Sequence, residues 1–206
     1  MSIPEKQDSS NTGFPERISK EAINELPIFR YEGPIHLVRT DEELEKACEV
    51  LLNESIIGFD TETRPVFKRG QSYPTSLIQM ATGEEVFLFQ LNELDKLTGI
   101  KSILADPEIK KVGVALRDDF VKLRELESFN EEGVVDIAKM SQKLGIVNTG
   151  LRSLAAILLK QRISKSVQVS NWAKKELTPA QITYAATDAW VSREIYLKLA
   201  DCGAED

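Results

Sequence analysis

The sequence of 206 residues predicts an α/β fold, in which a mixed sheet carries helices on both of its faces. An apolar run over 56–61 is typical of a buried strand. Two strand-like segments, 76–81 and 85–89, flank Thr82-Gly83 and predict an antiparallel hairpin. Beyond this hairpin, short apolar runs alternate with helical patterns, which favours parallel strands joined by helices.

The other elements follow from capping signals and hydrophobic periodicity. Thr40 with Glu43, and Thr178 with Gln181, have the spacing of a capping box, and Pro179 suits the first helical position. The other predicted strands are 35–38, 111–114 and 134–137. The predicted helices are 18–26, 40–52, 91–104, 117–126, 138–144, 151–159 and 178–199, and the basic stretch 161–176 is predicted to be irregular.

The net charge of −7 argues at first against a nucleic-acid partner, but this charge is unevenly distributed. Residues 1–55 hold twelve acidic and six basic side chains, so most of the negative charge lies there. Residues 148–193 hold seven basic and two acidic side chains. This local excess predicts either a basic surface beside a binding site or an ordinary solvated helix face.

Targeting signals do not stand out in the sequence. It contains no run of about 18 apolar residues, so we expect no membrane span and no membrane partner. Residues 1–17 are polar, lack the apolar core of a secretory signal and predict a flexible tail. Cys48 and Cys202 have neither metal-type nor redox-type spacing, which is typical of reduced thiols in a cytoplasmic protein.

The apolar run at 56–61 leads directly into two carboxylates. Side chains alternate along a strand, so Asp60 and Glu62 should project from the same face. Two neighbouring buried acids repel each other unless a cation lies between them, and Mg²⁺ and Mn²⁺ prefer carboxylate oxygen. The segment therefore indicates a metal site, and the alternative is a strand that simply ends in a solvated loop.

Two further acidic segments, each taken alone, fit either a functional site or an ordinary helix. Tyr184 and Asp188 are four residues apart, so they share one face of the last helix. Asp118 and Asp119 begin another helix, where the helix dipole alone favours acids. Each pattern is also common at ordinary helix boundaries.

The three acidic segments together resemble the DEDD superfamily of 3′–5′ exonucleases, in the subgroup with a tyrosine in its third motif. They are Phe59-Asp60-Thr61-Glu62, the run from Val112-Gly113 to Asp118-Asp119, and Tyr184 with Asp188. The similarity also includes 110–114, 169–174 and 177–189, which resemble the Werner helicase exonuclease-domain family and, more loosely, the ribonuclease D family. It covers about 34–200, and it implies a ribonuclease H-like exonuclease domain at 34–206 preceded by a tail at 1–33 with a short helix.

The resemblance also implies a role for each member of the site. Asp60 would bridge two divalent ions, Mg²⁺ or Mn²⁺, with Glu62 and Asp188 on the first ion and Asp119 on the second. Tyr184 would orient the attacking water.

Three other residues bear on these assignments. Asp118 is the alternative to Asp119 as the acid of the second motif, but the spacing from Gly113 favours Asp119. A sister subgroup has its histidine where this sequence has Thr183. His36 lies on an early strand and is predicted to be structural.

Basic and aromatic residues on two segments are candidate substrate contacts. Cationic side chains there would hold the phosphate backbone, while Trp172 would either stack on a base or anchor the irregular stretch by packing. The candidates are Arg64, Lys68, Arg69, Lys165, Trp172 and Lys174.

The resemblance predicts a metal-dependent 3′–5′ exonuclease that acts on single-stranded 3′ ends of DNA or RNA and releases nucleoside 5′-monophosphates. The residues alone indicate metal-assisted phosphoryl transfer. The alternative is a catalytically inactive nucleic-acid-binding module on the same fold. Any helicase or repair partners are expected to be separate chains.

Overall fold

In a computed structural model of the chain, described for residues 13–68 and 70–204, helices cover both faces of one mixed sheet. The strands are β1 Ile35–Val38, β2 Ile56–Thr63, β3 Thr75–Ala81, β4 Val86–Gln90, β5 Lys110–Gly113 and β6 Val134–Asp136. The helices are α1 Lys20–Glu25, α2 Asp41–Leu51, α3 Thr98–Ala105, α4 Arg117–Leu126, α5 Ile137–Lys143, α6 Leu151–Leu154 and α7 Pro179–Asp201. A 3₁₀ turn spans Leu91–Glu93, and α6 continues as a π-helical turn over Ala155–Leu159.

The strand order is β1-β4-β3-β2-β5-β6. The pairs β2/β3 and β3/β4 are antiparallel, while β1/β4, β2/β5 and β5/β6 are parallel. This arrangement confirms the predicted α/β fold with hairpin strands followed by parallel strands. It also places β2, the strand with the paired acids, in the middle of the sheet.

Alternation along β2 separates an apolar face from an acidic one. On one face Ile57 and Phe59 are fully buried, and the Phe59 ring stacks on Phe120 of α4 with centroids 5.2 Å apart. On the other face Gly58 meets α7, where a Cβ atom built on Gly58 would lie 2.0 Å from the Ala189 carbonyl oxygen. The absence of a side chain at Gly58 therefore lets the strand and the helix approach at backbone distance.

Two predicted elements differ in detail from the structure. The helix expected over 91–104 is a 3₁₀ turn followed by extended backbone at Leu94 and then α3. Leu91, Leu94 and Leu97 all pack on the same core cluster, so a three-residue apolar spacing imitated a helix. The predicted hairpin is confirmed: β3 ends at Ala81 and β4 begins at Val86, and within the connecting turn the Thr82 amide donates to the Glu85 carbonyl at 2.9 Å.

The described part of the expected tail lies against the domain. The Val147 amide donates to the Glu16 carbonyl at 2.8 Å, and Asn148 Oδ1 accepts from the Ile18 amide at 2.9 Å. The predicted short helix is present as α1, and a bridge joins Ile28 to Arg162. A domain boundary at 33/34 stays a prediction, and residues 1–12 lie outside the described part. No helix among the described residues is long and apolar enough to cross a membrane.

We predict that Gly58→Ala lowers the free energy of unfolding by about 1–3 kcal/mol, the usual cost of overpacking. The added methyl group would collide with the Ala189 carbonyl, which is backbone and cannot rotate away. Chemical denaturation measures the effect. Gly83→Ala is the control, since its Cβ would lie 3.2 Å from the movable Arg193 side chain. Equal stability of the Gly58→Ala and wild-type proteins would contradict the close approach.

Candidate active site

Strand β2 and helix α7 together supply most of the predicted site. Asp60 and Glu62 line an open cavity of about 340 Å³, and so do Tyr184 and Asp188 from α7. The helix can reach these strand residues because Ala189, next to Asp188, packs directly on Gly58. The four side chains that the sequence predicted to converge therefore do so at the point of closest strand–helix contact.

Helix α4 brings Asp119 toward the same acids. The Asp119 carboxylate accepts a hydrogen bond from the Thr61 hydroxyl, whereas Asp118 is exposed. Ala115, just before α4, adopts a left-handed conformation with φ of 55°, and its amide donates to the Asp136 carboxylate at 3.1 Å. The turn that precedes α4 thus directs Asp119, and not Asp118, toward β2. The sequence did not single out Thr61, although it lies between the two acids of the first motif.

Burial and mutual repulsion raise the pKa values of the acids. Burial raises the pKa of Glu62 to about 9, with a further contribution from Asp60. The pKa of Asp60 lies well above its usual range because the residue is buried and faces Asp188 and Asp119. Burial raises the pKa of Asp188 to about 7, although the Tyr184 hydroxyl and Lys165 act in the opposite direction. Burial also raises the pKa of Asp119.

Tyr184 is a buried phenol beside an acid. Burial and the neighbouring Asp188 carboxylate raise its pKa above the ordinary value, so the hydroxyl keeps its proton at neutral pH. The Trp172 ring packs against the Tyr184 ring with centroids 5.9 Å apart. The hydroxyl is therefore a fixed donor next to Asp188.

The donor set of this site suits a hard divalent cation. Four carboxylates influence one another, and the buried Oδ1 of Asp188 has no hydrogen-bond partner in the described structure. Carboxylate oxygen is the ligand that Mg²⁺ and Mn²⁺ prefer, and a cation would offset the repulsion. Within residues 13–68 and 70–204, no group of three or more acidic, histidine or cysteine side chains is placed so that it could hold a metal ion as it stands, so these carboxylates would have to draw together around a bound ion.

Only one of the predicted cationic substrate contacts that the structure describes lines the cavity. Lys165 lines the cavity with the acids. Arg64 and Lys68 are exposed on the loop after β2, where the Arg64 guanidinium lies 4.8 Å from the centre of the Tyr73 ring. Arg69 lies outside the described residues. Lys174 is exposed but does not line this cavity.

Trp172 corrects one prediction. Its side chain is only 1% exposed, and its Nε1 donates to the Gln168 carbonyl at 3.3 Å, so it cannot stack on a base. The packing role weighed for it in the sequence is the one observed.

Sequence reasoning missed one wall of the cavity, the start of α6 with Gly150, Arg152 and Ser153. The positive charge of 148–193 was the only sequence signal for it.

Comparison with known proteins identifies the family. The model of the 3′–5′ exonuclease family matches residues 35–202. The bifunctional 3′–5′ exonuclease/ATP-dependent helicase WRN of Mus musculus is 34% identical over 163 residues, which are 74% of this chain and 11% of that protein. This chain thus spans only a small part of that relative.

Solved structures agree on the fold. The Aedes aegypti Nibbler EXO domain superposes with a TM-score of 0.78 at 24% identity, covering 84% of this chain and 92% of that one. Escherichia coli RNase D superposes with a TM-score of 0.75 at 26% identity, covering 82% and 44%. These neighbours confirm the ribonuclease H-like fold, and divalent metals are used generally in this family. The chain therefore belongs to the 3′–5′ exonuclease family.

Proposed function

We propose that this chain hydrolyses single-stranded DNA or RNA from the 3′ end and releases nucleoside 5′-monophosphates with the help of two divalent ions. The convergence of three carboxylates, Asp60, Glu62 and Asp188, with Tyr184 in one open cavity carries this proposal, and Asp119 lies beside them through its hydrogen bond with Thr61. An inactive binding module would need no such cluster, because crowded buried acids repel an anionic ligand as well as one another.

The carboxylates of Asp60, Glu62, Asp119 and Asp188 would hold the ions, Mg²⁺ or Mn²⁺. When bound, two such ions supply an activated water and stabilise the leaving oxygen of a phosphodiester. The raised pKa values of Asp60 and Glu62 mean that ion binding would displace protons from these groups. The chain's own contribution is to hold deprotonated oxygens together in a buried place.

Tyr184 is proposed to position the attacking water and not to deprotonate it. A phenol whose pKa lies above its ordinary value cannot act as a base at neutral pH. Its protonated hydroxyl lies beside Asp188 and can form a hydrogen bond with a water at that carboxylate. Its orientation is fixed by the ring packing on Trp172.

Partners and location belong to the same proposal. The relative WRN carries its exonuclease together with a helicase, which supports a separate helicase or repair partner for this chain. Lys165 in the cavity and the exposed Arg64 and Lys68 nearby would attract the phosphate backbone. A cytoplasmic location is proposed from the sequence alone.

Digestion of matched single-stranded DNA and RNA, labelled at the 5′ end, tests the proposal. We expect shortening from the 3′ end, release of 5′-mononucleotides and dependence on Mg²⁺ or Mn²⁺. Asp119→Ala should lower the rate at least 100-fold because it removes a carboxylate from the cluster. Asp118→Ala, an exposed neighbour, should stay within threefold of wild type. Binding without cleavage by the wild-type protein would favour the inactive module.

Removal of one hydroxyl tests the role of Tyr184. Tyr184→Phe should lower kcat by about 100-fold, the low end for a group that positions a proton transfer. It should change KM little, since the ring and its packing remain. Single-turnover rates at saturating substrate measure the effect. A variant as fast as wild type would show that Tyr184 has only a packing role.

Thermal unfolding tests the charge balance of the site without reference to activity. A folded-state pKa that is raised costs stability as the pH rises, here between about 4.5 and 9 for Glu62. In metal-free buffer at pH 8, Asp60→Asn should therefore raise Tm by about 2–4 °C.

Mn²⁺ should raise the Tm of the wild-type protein more than that of Asp60→Asn, because the variant lacks one ligand. The exposed control Asp118→Asn should behave like wild type in both buffers. A lower Tm for Asp60→Asn in metal-free buffer would contradict the repulsion.

A further inference from the structure

A second cavity of about 290 Å³ adjoins the catalytic one and shares Ser164, Tyr184 and Asp188 with it. Phe29 and Arg30 form part of its wall. These two residues precede 35–202, the part of the chain that matches the family model. A segment that precedes the part matched by the family model therefore contributes to a cavity beside the acids of the site.

Hydrogen bonds and ring packing fix this segment in place. The Phe29 amide donates to the Arg162 carbonyl at 2.8 Å, and the Tyr31 amide donates to Thr187 Oγ1 at 3.0 Å. The Phe29 ring also stacks on Trp190 of α7, with centroids 5.0 Å apart. Since both neighbours of Arg30 are bonded, its backbone is held beside the helix that carries Asp188.

The chemistry of the second cavity suits a phosphate group. Arg30 is exposed and forms no ion pair within the described part of the chain. The hydroxyls of Ser164 and Ser166 also line the cavity, with their oxygens 2.9 Å apart. A guanidinium with nearby hydroxyl donors is a favourable arrangement for phosphate oxygens. Asp188 is the only acid among the described lining residues, and it belongs to both cavities.

We propose that the second cavity binds the phosphodiester next to the one that is cleaved, with Arg30 as its principal contact. This inference rests on the proposed function. In cleavage at a 3′ end, the terminal nucleoside carries no phosphate beyond the scissile one, so the neighbouring phosphate lies on the 5′ side. A contact at that phosphate fixes the strand relative to the acids and lowers the entropic cost of alignment.

A neutral linkage tests the proposal directly. The substrate is a single strand of the nucleic acid that the enzyme cleaves, with a methylphosphonate as its second linkage from the 3′ end. The wild-type kcat/KM should fall about tenfold on this substrate, the low end for a lost charged hydrogen bond. The kcat/KM of Arg30→Gln should be about tenfold lower than that of the wild type on the native strand. On the neutral strand it should be less than twofold lower again.

The salt dependence provides a second readout. The slope of log kcat/KM against log salt should become shallower by about 0.7 in Arg30→Gln, the value for one phosphate contact on a single strand. Lys20→Gln removes one positive charge from the same N-terminal segment, at an exposed position away from the cavity. This control should keep the wild-type rate, slope and sensitivity to the neutral linkage.

The assignment would be overturned by an Arg30→Gln enzyme that keeps the full wild-type sensitivity to the neutral linkage. Such an enzyme would lose activity equally on both substrates. The neutral linkage leaves the phosphate of the released nucleotide charged, so it separates strand binding from product binding. An inactive wild-type protein would refute the proposed function instead. A thermal melt of Arg30→Gln that matches wild type shows that the variant is folded.

Discussion

The site depends on the direct contact between β2 and α7 at Gly58. A Cβ there would lie 2.0 Å from the Ala189 carbonyl oxygen, so only glycine permits the two backbones to touch. Ala185 and Ala189 on the helix are fully buried small residues, which allow the same approach from the other side. Asp60 lies two residues beyond Gly58, and Asp188 is next to Ala189. The meeting of the acids is therefore a consequence of backbone packing.

The rest of the core makes an unfavourable cluster of acids tolerable. Ile57 and Phe59 alternate with the acidic residues on β2 and are completely buried beneath α4. Burial of such side chains contributes about 1.5–3 kcal/mol each, which offsets the repulsion on the opposite face. The fold thus holds the carboxylates together although their raised pKa values oppose it. This residual repulsion is the physical reason that a divalent cation suits the site.

Sequence reasoning succeeded where a local rule determines the structure. The capping boxes at Thr40 and Thr178 form as expected, because each depends on residues three positions apart. Asp119 was preferred to Asp118, and adjacent helix residues point about 100° apart, so only one could face β2. The acids and Tyr184 were chosen from motif order; the structure brings Asp60, Glu62, Tyr184 and Asp188 to one cavity, while their metal and catalytic roles stay predictions.

The sequence was less informative where tertiary contacts determine the local conformation or the burial of a residue. The spacing of Leu91, Leu94 and Leu97 imitates a helix, yet it serves a turn and an extended segment that pack on one cluster. The position of 13–33 against the domain could not be predicted, because its hydrogen bonds join residues more than 100 positions apart. Trp172 shows the same limit, since the sequence left a stacking and a packing role open and only the structure shows that its side chain is buried.

That irregular stretch explains how a chain of net charge −7 can present positive charge to a substrate. It has no helix or strand of its own, but Trp172 Nε1 bonds the Gln168 carbonyl at 3.3 Å, and Gln181 Nε2 bonds Ser170 Oγ at 3.0 Å. These contacts fasten the stretch to α7 behind Tyr184, while Lys165 lines the cavity and partly counters the burial that raises the pKa of Asp188. Positive charge is therefore placed by packing at one point beside the acids. The electrostatics that matter for an anionic strand are local, and the net charge of the chain is a poor guide to them.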